Sequence, residues 1–519
     1  MVVCSKKPNW LPFFLIALLV FIVYGQSLFF NLTYLDDDRL LVDKFEILED
    51  IHKISTIFAT DAFFSGTNFY YRPILNLSFM IDAQLGGEAL FIYHLDNILL
   101  HILAVCLLFL FLKKILKRDH LAFFLSLVFL VHPVLTQAVV WLPGRNDSLM
   151  TIFVLASTLF FFNFLDRPRL QSLISCSLFF FLALLTKETA ILLPIIFLGY
   201  LVTIGRKNRL ALINNFLIIL LPLVSTFIYF LMRILALGKN IILDKSTLSL
   251  ADIFHNVLCA FGKLLFPFNL SVLPFAADSS ALYGWLLILV LMIALLFSKR
   301  KRIDYLLFGF IWLLLFFAPP YIMSTIVPYP FEHRLYLPLI GFLIILGEVD
   351  WIKDLDFKKQ GVKFSSTIVI LFFSFLAIYH SLSFSDRLAY WQTAVKDSPH
   401  APLAARNLAA MYRQENQSDL ASKYYHRTLE LNPDQIILFN VHNNLGSIAW
   451  EQKDYSLAEE EYKKEISLFP NNDQAWLNLG NLYHLQKNHI NEAVSAWKEA
   501  LRSNPANTQA YEAINKYSK

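Results

Sequence analysis

The chain has 519 residues, of which 57% are hydrophobic and 16% charged, with a formal net charge of +4. Soluble domains carry about a quarter charged residues, so a purely soluble chain is excluded, and so small a net charge leaves no electrostatic footprint for nucleic acid. The four cysteines, Cys4, Cys106, Cys176 and Cys259, show neither CxxC nor Cys/His spacing, so no disulfide framework and no metal site is evident.

Apolar runs long enough to cross a bilayer fill residues 1–384, whereas 385–519 are polar and helical in pattern. The expected fold is all-α: a polytopic helical membrane domain of about eleven spans over 1–384, then a soluble α-solenoid over 385–519. Lys6 and Lys7 precede the first apolar run, 10–30. That run is too long for a signal-peptide core and lacks a small-residue cleavage site, so it reads as a signal anchor that starts in the cytoplasm. Residues 31–90 form the first outer loop, which opens with Tyr34-Leu35-Asp36-Asp37-Asp38-Arg39 and later carries Tyr70-Tyr71-Arg72-Pro73. Within it, 48–59 has the pattern of a short amphipathic helix lying on the membrane surface.

The second span, 91–112, is followed inside by Lys113, Lys114, Lys117 and Arg118. The third, 121–141, contains His132-Pro133 and should kink there. Pro143-Gly144-Arg145-Asn146-Asp147 makes an outer turn, and the fourth span ends at Asp166-Arg167-Pro168-Arg169. The fifth, 173–185, meets the sixth at Thr186-Lys187-Glu188, outside, and Arg206, Lys207 and Arg209 follow inside. The seventh, 210–232, ends outside at Arg233. Residues 251–270 are apolar but broken at Phe266-Pro267-Phe268-Asn269, so they are expected to re-enter or to lie along the outer surface. Lys299-Arg300-Lys301-Arg302 then falls inside, after the span 282–297, as the positive-inside rule requires. Spans 305–320 and 335–347 flank an outer Tyr329-Pro330-Phe331-Glu332-His333-Arg334, and 365–384 exits outward. An odd number of spans leaves the N-terminus cytoplasmic and puts the first loop and the tail on the outer side: periplasm or exterior in a bacterium, ER lumen in a eukaryote.

The tail repeats with a period near 34 residues, in the tetratricopeptide pattern. Asn407-Leu408-Ala409, Ala421, Tyr425 and Pro433 fit a first copy; Asn444-Leu445-Gly446, Ala458, Tyr462 and Pro470 fit a second, with Glu465 where a small residue is expected. Trp476, Leu479-Gly480, Tyr483, Ala493, Trp497, Ala500 and Pro505 fit a third with one residue inserted at 487–489, and 508–517 forms a capping helix. Such arrays bind peptides or proteins on their concave side; bracing the membrane domain is the other reading.

Ionisable residues in or beside spans are expensive and so are functional candidates. His94, Asn97 and His101 share one face of the second span, with Asp96 off that face, although a polar helix–helix contact accounts for His94 and Asn97 equally well. Arg145 with Asp147, Lys187 with Glu188, and Glu332-His333-Arg334 each read as a salt-bridged outer turn when taken singly. Together with the acidic loop they describe a site that accepts a proton and holds an anion at the membrane surface. A carboxylate beside a hydroxyl serves as general base, and an arginine fork matches phosphate oxygens. That combination fits glycosyl transfer from a lipid-linked sugar phosphate.

As a set, these stretches resemble the GT-C glycosyltransferases, in the branch with C-terminal tetratricopeptide repeats: the transmembrane and tetratricopeptide-containing protein O-mannosyltransferases and their bacterial relatives. The matching residues are Leu35-Asp36-Asp37, Tyr71-Arg72-Pro73, Tyr93-His94-Leu95 with Asn97 and His101, His132-Pro133, Gly144-Arg145 with Asp147, Lys187-Glu188, and Glu332-His333-Arg334. The resemblance implies a polyprenyl-phosphate sugar donor, dolichyl-phosphate mannose in the animal members, and inverting transfer to Ser or Thr hydroxyls of a protein acceptor. It makes Asp36 the catalytic base with Asp37 its neighbour, and Arg145 and Arg334 donor-phosphate ligands, to which the outer cluster at Lys187 adds a third phosphate-binding candidate. Arg72, His94, Asn97, His101, His132, Asp147, Glu188, Glu332 and His333 are supporting residues. Two other readings stand beside it: a membrane-anchored repeat scaffold without activity, and a transporter of lipid-linked sugar.

Overall fold

The computed structural model describes residues 10–65, 70–205, 216–238, 249–268, 270–319, 331–486 and 489–517, and every regular element among them is helical. The sequence features at Lys6, Lys7, Arg206, Lys207, Arg209, Asn269, Tyr329 and Pro330, and most of the insertion at 487–489, lie outside the described residues. Two compact units form, Met1–Thr393 and Ala394–Lys519. The first unit extends past residue 384, where the hydropathy falls. The first turns of the helix Arg387–Asp397 are anchored in it by two fully buried aromatics: Tyr390 donates to the Val272 carbonyl at 2.9 Å, and Trp391 Nε1 to the Thr33 carbonyl at 3.0 Å.

In the first unit, helix α1 (Leu11–Tyr24) leads into the acidic loop. Helix α2 (Pro73–Gly86) closes that loop and starts on a proline, whose fixed φ and missing N–H suit a first helical turn. It is followed by α3 (Leu90–Leu116), α4 (Asp119–Val131), α5 (Arg145–Asp166), α6 (Leu170–Thr186), α7 (Leu217–Leu237), α8 (Leu250–Gly262), α9 (Leu282–Phe297), α10 (Ile303–Phe317), α11 (Tyr336–Leu346) and α12 (Gln360–Ser381). The segment at 48–59 is not the single amphipathic helix expected there. It breaks into short turns at Asp50, whose carboxylate accepts the His52 amide, and buries Leu48 and Ile57 against Leu75, Phe79 and Met80 of α2.

The expected eleven spans are not confirmed among the described residues. Five helical stretches among the described residues are long and apolar enough to cross a bilayer: Leu11–Phe29, Leu90–Leu116, Leu142–Asp166, Leu217–Leu237 and Gln360–Phe384. A sixth arises if Asp119–Val131 and Pro133–Val140 count as one span bent by 53°. The bend falls at His132-Pro133, where proline withholds an N–H and His132 caps the next turn by accepting the Val134 amide at 3.3 Å. The other apolar helices, such as α6, α9 and α10, have 15–17 residues, at or below the short end of the roughly 17–25 residues of a membrane span. Helix α8, in the stretch expected to re-enter or to lie along the outer surface, has 13 residues. Leu142–Asp166 has 72% of its apolar window buried, against 17–28% for Leu11–Phe29, Leu217–Leu237 and Gln360–Phe384; it is the central helix, and those three are peripheral.

In the second unit, helix pairs Pro402–Gln414 with Ser418–Glu430, Val441–Glu451 with Tyr455–Leu468, and Asp473–Leu485 with Ile490–Ser503 are followed by Thr508–Tyr517. Small residues let the paired helices meet: a Cβ on Gly446 would lie 2.7 Å from the Tyr462 ring, and one on Gly480 2.5 Å from the Trp497 ring. Glu465, the departure from the repeat pattern, is fully buried. Its carboxylate accepts from the Asn440 amide at 2.8 Å, the Asn443 amide at 3.2 Å and Asn472 Nδ2 at 2.9 Å, and so ties the start of its own pair to the start of the next.

Candidate active site

The three carboxylates of the loop have different surroundings. Asp36 takes a left-handed backbone conformation, φ 67°, as does Tyr34 at 58°; an L-residue tolerates this only where the surroundings fix it. Trp391 holds the Thr33 carbonyl and Trp141 Nε1 donates to the Leu35 carbonyl at 3.0 Å, so the chain is pinned on both sides of Tyr34. Asp37 is buried: one oxygen accepts the Thr33 amide at 2.7 Å and hydroxyl at 2.8 Å, and the other accepts the Asp38 amide at 3.0 Å. Burial pushes its carboxyl up to about 7, against those hydrogen bonds. Asp36 is half-buried, and its carboxylate accepts no hydrogen bond among the described residues. Burial also raises its pKa, while the positive charges of Arg39 and Arg72 pull it back.

Arg72 carries the acidic loop to the next cluster. Its Nε and Nη2 hold both oxygens of Glu188, at 3.1 and 2.6 Å, and its guanidinium lies 4.4 Å over the Tyr70 ring. This paired fork fixes the end of α6 beside the loop. Lys187, next in the chain, sets Nζ 2.6 Å from Asp147 Oδ1 and 3.3 Å from Asn146 Oδ1. Arg72 and Arg334 both act electrostatically on Asp147, and Lys187, Arg334 and Arg72 all act on His333. His333 in turn sits between the rings of Trp141 and Phe331, at 5.4 and 5.3 Å, and its Nδ1 meets Gln137 Oε1 at 3.1 Å. The fold therefore gathers Asp36, Arg72, Asp147, Lys187, Glu188, His333 and Arg334, with Trp141 touching both Leu35 and His333.

Arg145 belongs to a different centre. It is fully buried, and all three of its nitrogens are engaged: Nε donates to Asn97 Oδ1 at 2.7 Å, Nη2 to the Tyr93 carbonyl at 2.8 Å, and Nη1 to Ser78 Oγ at 3.2 Å while lying 2.6 Å from Asp82 and 3.3 Å from Asp96. No nitrogen is left to face a ligand in this arrangement. Gly144 precedes it because the neighbouring turn passes close by: a Cβ there would lie 2.5 Å from the Gln137 carbonyl oxygen. His94 is buried within electrostatic reach of Arg145, with its ring 6.3 Å from Phe30. His101 bonds Tyr336 at 2.7 Å and the Leu130 carbonyl at 3.3 Å, and His132 Nε2 bonds the Leu264 carbonyl at 3.1 Å. His101 thus ties α3 to α4 and α11, and His132 ties the bend to the turn after α8; among the described residues neither hydrogen-bonds Asp36, Arg72 or Lys187. Glu332 is fully buried as well, against Lys263 Nζ at 2.7 Å, the Ser271 amide at 2.8 Å and His380 Nε2 at 3.3 Å.

The sequence reading missed Trp141, Arg39, Asp82, Lys263 and His380 as members of these networks. An acid in α2 and a lysine just past α8 are unusual enough to flag from sequence; their partners are distant in the chain, so pairing them needs the fold. Among the described residues no cluster of three or more His, Cys, Asp or Glu side chains is arranged to hold a metal ion.

Comparison with known proteins follows the same outline. Residues 73–232 match the family described as dolichyl-phosphate-mannose-protein mannosyltransferase, and 443–508 match tetratricopeptide repeats. Protein O-mannosyl-transferase TMTC3 of Homo sapiens is 24% identical over 560 aligned positions, covering 94% of this chain and 60% of that protein. Tmtc1 of Drosophila melanogaster is 34% identical over 146 positions, 28% of this chain and 17% of that protein. The chain thus spans about 60% of the length of the first curated relative it matches. Among solved structures, ArnT from Cupriavidus metallidurans bound to undecaprenyl phosphate aligns with 82% of this chain and 76% of its own, at 16% identity and a TM-score of 0.43. Over residues 73–232 the chain is thus similar to that mannosyltransferase family, over 443–508 to tetratricopeptide repeats, and along most of its length to TMTC3.

Proposed function

We propose that this multi-pass membrane protein is an inverting glycosyltransferase. It moves a monosaccharide, mannose in the named relatives, from a polyprenyl-phosphate donor to a hydroxyl, a Ser or Thr of a protein held by the tail. The observation that carries this reading is the half-buried Asp36 carboxylate, which accepts no hydrogen bond among the described residues and stands in the field of Arg72. In the proposed step the acceptor oxygen attacks the anomeric carbon and Asp36 takes the hydroxyl proton. The bond from that carbon to the phosphate oxygen breaks with inversion, and the leaving polyprenyl phosphate carries away the electron pair.

Arg72, Lys187 and Arg334 receive the phosphate. Arg72 spends Nε and Nη2 on Glu188, which leaves Nη1 for a phosphate oxygen. Asp37 shapes the loop; its oxygens are occupied and it does not touch the acceptor. Arg145 braces α2, α3 and α5 and stands outside the donor contact. Basic residues gather at the opposite helix ends: Lys114 pairs with Asp166, Arg118 donates to the Lys353 carbonyl, and Arg302 pairs with Glu348. By the positive-inside rule that end is cytoplasmic and the acidic loop faces outward.

The test is label transfer. The purified chain in liposomes is supplied with a panel of radiolabelled polyprenyl-phosphate monosaccharides and an acceptor-rich envelope extract, and label should appear in protein. No transfer from any donor would overturn the reading.

A further inference from the structure

A groove lies at the basic end of the membrane unit, lined by no residue of the acidic loop. It has a volume of about 450 Å³ and is lined by Val290, Ile293, Ala294 and Phe297 of α9, by Ser298, and by Asp350 and Trp351 of the short helix Asp350–Lys353. That volume is within the range of ligand sites, about 300–1,000 Å³. Its wall is apolar and open: Phe297 is 80% exposed and Trp351 65%. An exposed tryptophan beside a run of lysine and arginine marks the headgroup level of a bilayer.

Charge at the rim is unequally spent. Asp350 accepts the Lys299 amide at 2.8 Å and the Arg300 amide at 3.1 Å, and Arg300 also pairs with Asp354. Lys301 turns back onto the Leu295 and Ser298 carbonyls at 2.5 and 3.0 Å and caps α9, and Arg302 is held by Glu348. Lys299 is exposed, and its ammonium has no partner among the described residues. The groove therefore combines an apolar wall for a chain, an exposed tryptophan and, next in the chain to the lining Ser298, the exposed Lys299, with its single carboxylate already engaged by backbone amides.

We propose that this groove is a binding site for an anionic glycerophospholipid of the leaflet at the basic end, with an acyl chain along α9 against Trp351 and the phosphate at Lys299. The site is separate from the donor site in position and in leaflet, and does not depend on the transfer reaction. A zwitterionic lipid offers the same chain, but its own ammonium offsets the charge that Lys299 would meet.

The experiment uses the full chain in phosphatidylcholine vesicles containing a small fraction of acyl-brominated phosphatidylglycerol or acyl-brominated phosphatidylcholine. Quenching of Trp351 is read as the difference between the wild type and Trp351→Phe. The expected result is a preference for phosphatidylglycerol of about fivefold at equal mole fraction, the order one lysine contributes at an anionic surface. Lys299→Glu, an exposed substitution, should abolish that preference while Trp351 remains quenched by both lipids. Equal quenching by the two lipids in the wild type, or a preference that survives Lys299→Glu, would overturn the proposal.

Discussion

Trp141 Nε1 donates to the carbonyl of Leu35 at 3.0 Å, across 106 positions of sequence. The same indole lies 5.4 Å from the His333 ring. One side chain thus sets the residue before Asp36 against the cluster of Arg72, Lys187 and Arg334. Trp141→Phe keeps the ring contact and loses the hydrogen bond, worth about 0.5–1.5 kcal/mol. The expected outcome is a lower kcat with little change in KM for the donor, measured by steady-state label transfer; a change confined to KM would place Trp141 at the donor instead.

Arg39 acts on Asp36 through its charge, and its side chain is exposed. Burial raises the Asp36 pKa and Arg39 lowers it, so Arg39→Gln should raise it further. A general base works only when deprotonated, so the acidic limb of kcat/KM should move to higher pH in Arg39→Gln. A pH–rate profile of both proteins checks this; an unmoved acidic limb would separate Asp36 from the proton transfer.

Asp37 is tied to stability. Its carboxyl is pushed up to about 7 by burial, above the unfolded value of about 3.9. A group with a raised folded pKa contributes stability below its unfolded pKa and loses it as pH rises through the folded one. The wild-type Tm should therefore fall between about pH 4 and 7, and Asp37→Asn, which cannot ionise, should flatten that slope. Differential scanning fluorimetry across the range reads both.

Arg145 and Arg334 read alike in the sequence, each at an outer turn beside an acid. The structure separates them. Arg145 is fully buried among Asp82, Asp96, Asn97, Ser78 and the Tyr93 carbonyl, whereas Arg334 is half-buried in the loop cluster. Arg145→Met strands two carboxylates and should cost about 3–5 kcal/mol, seen as lost expression or a lower Tm. Arg334→Gln should fold normally and raise KM for the donor.

In the tail, Glu465→Ala removes the acceptor for three donors, two of them backbone amides. Hydrogen bonds to a charged group contribute about 1.5–3 kcal/mol each, so the repeat unit should lose several degrees in Tm. A neutral effect would return Glu465 to a tolerated irregularity.

These cases show what was legible in the sequence. Helical class, the repeats and the bend at His132-Pro133 follow from periodicity and proline chemistry, which act locally. The acidic loop and the three outer clusters were found because ionisable groups beside apolar runs stand out. The role of each residue was not legible. Asp36 and Asp37 are adjacent in sequence, and only Trp141, Trp391 and Thr33, two of them far off in the chain, make one accessible and the other buried. The span count was not legible either, because hydropathy records apolar composition and not helix length; α6, α9 and α10 are apolar and have 15–17 residues.

The central claim is that Asp36 is the base. The measurement is the initial rate of sugar transfer from the active polyprenyl-phosphate donor, comparing wild type, Asp36→Asn and Asp37→Asn at matched amounts of folded protein. The account predicts a loss of about 100-fold or more for Asp36→Asn, the order a positioned general base contributes, and a smaller loss for Asp37→Asn. Transfer by Asp36→Asn at the wild-type rate would contradict it.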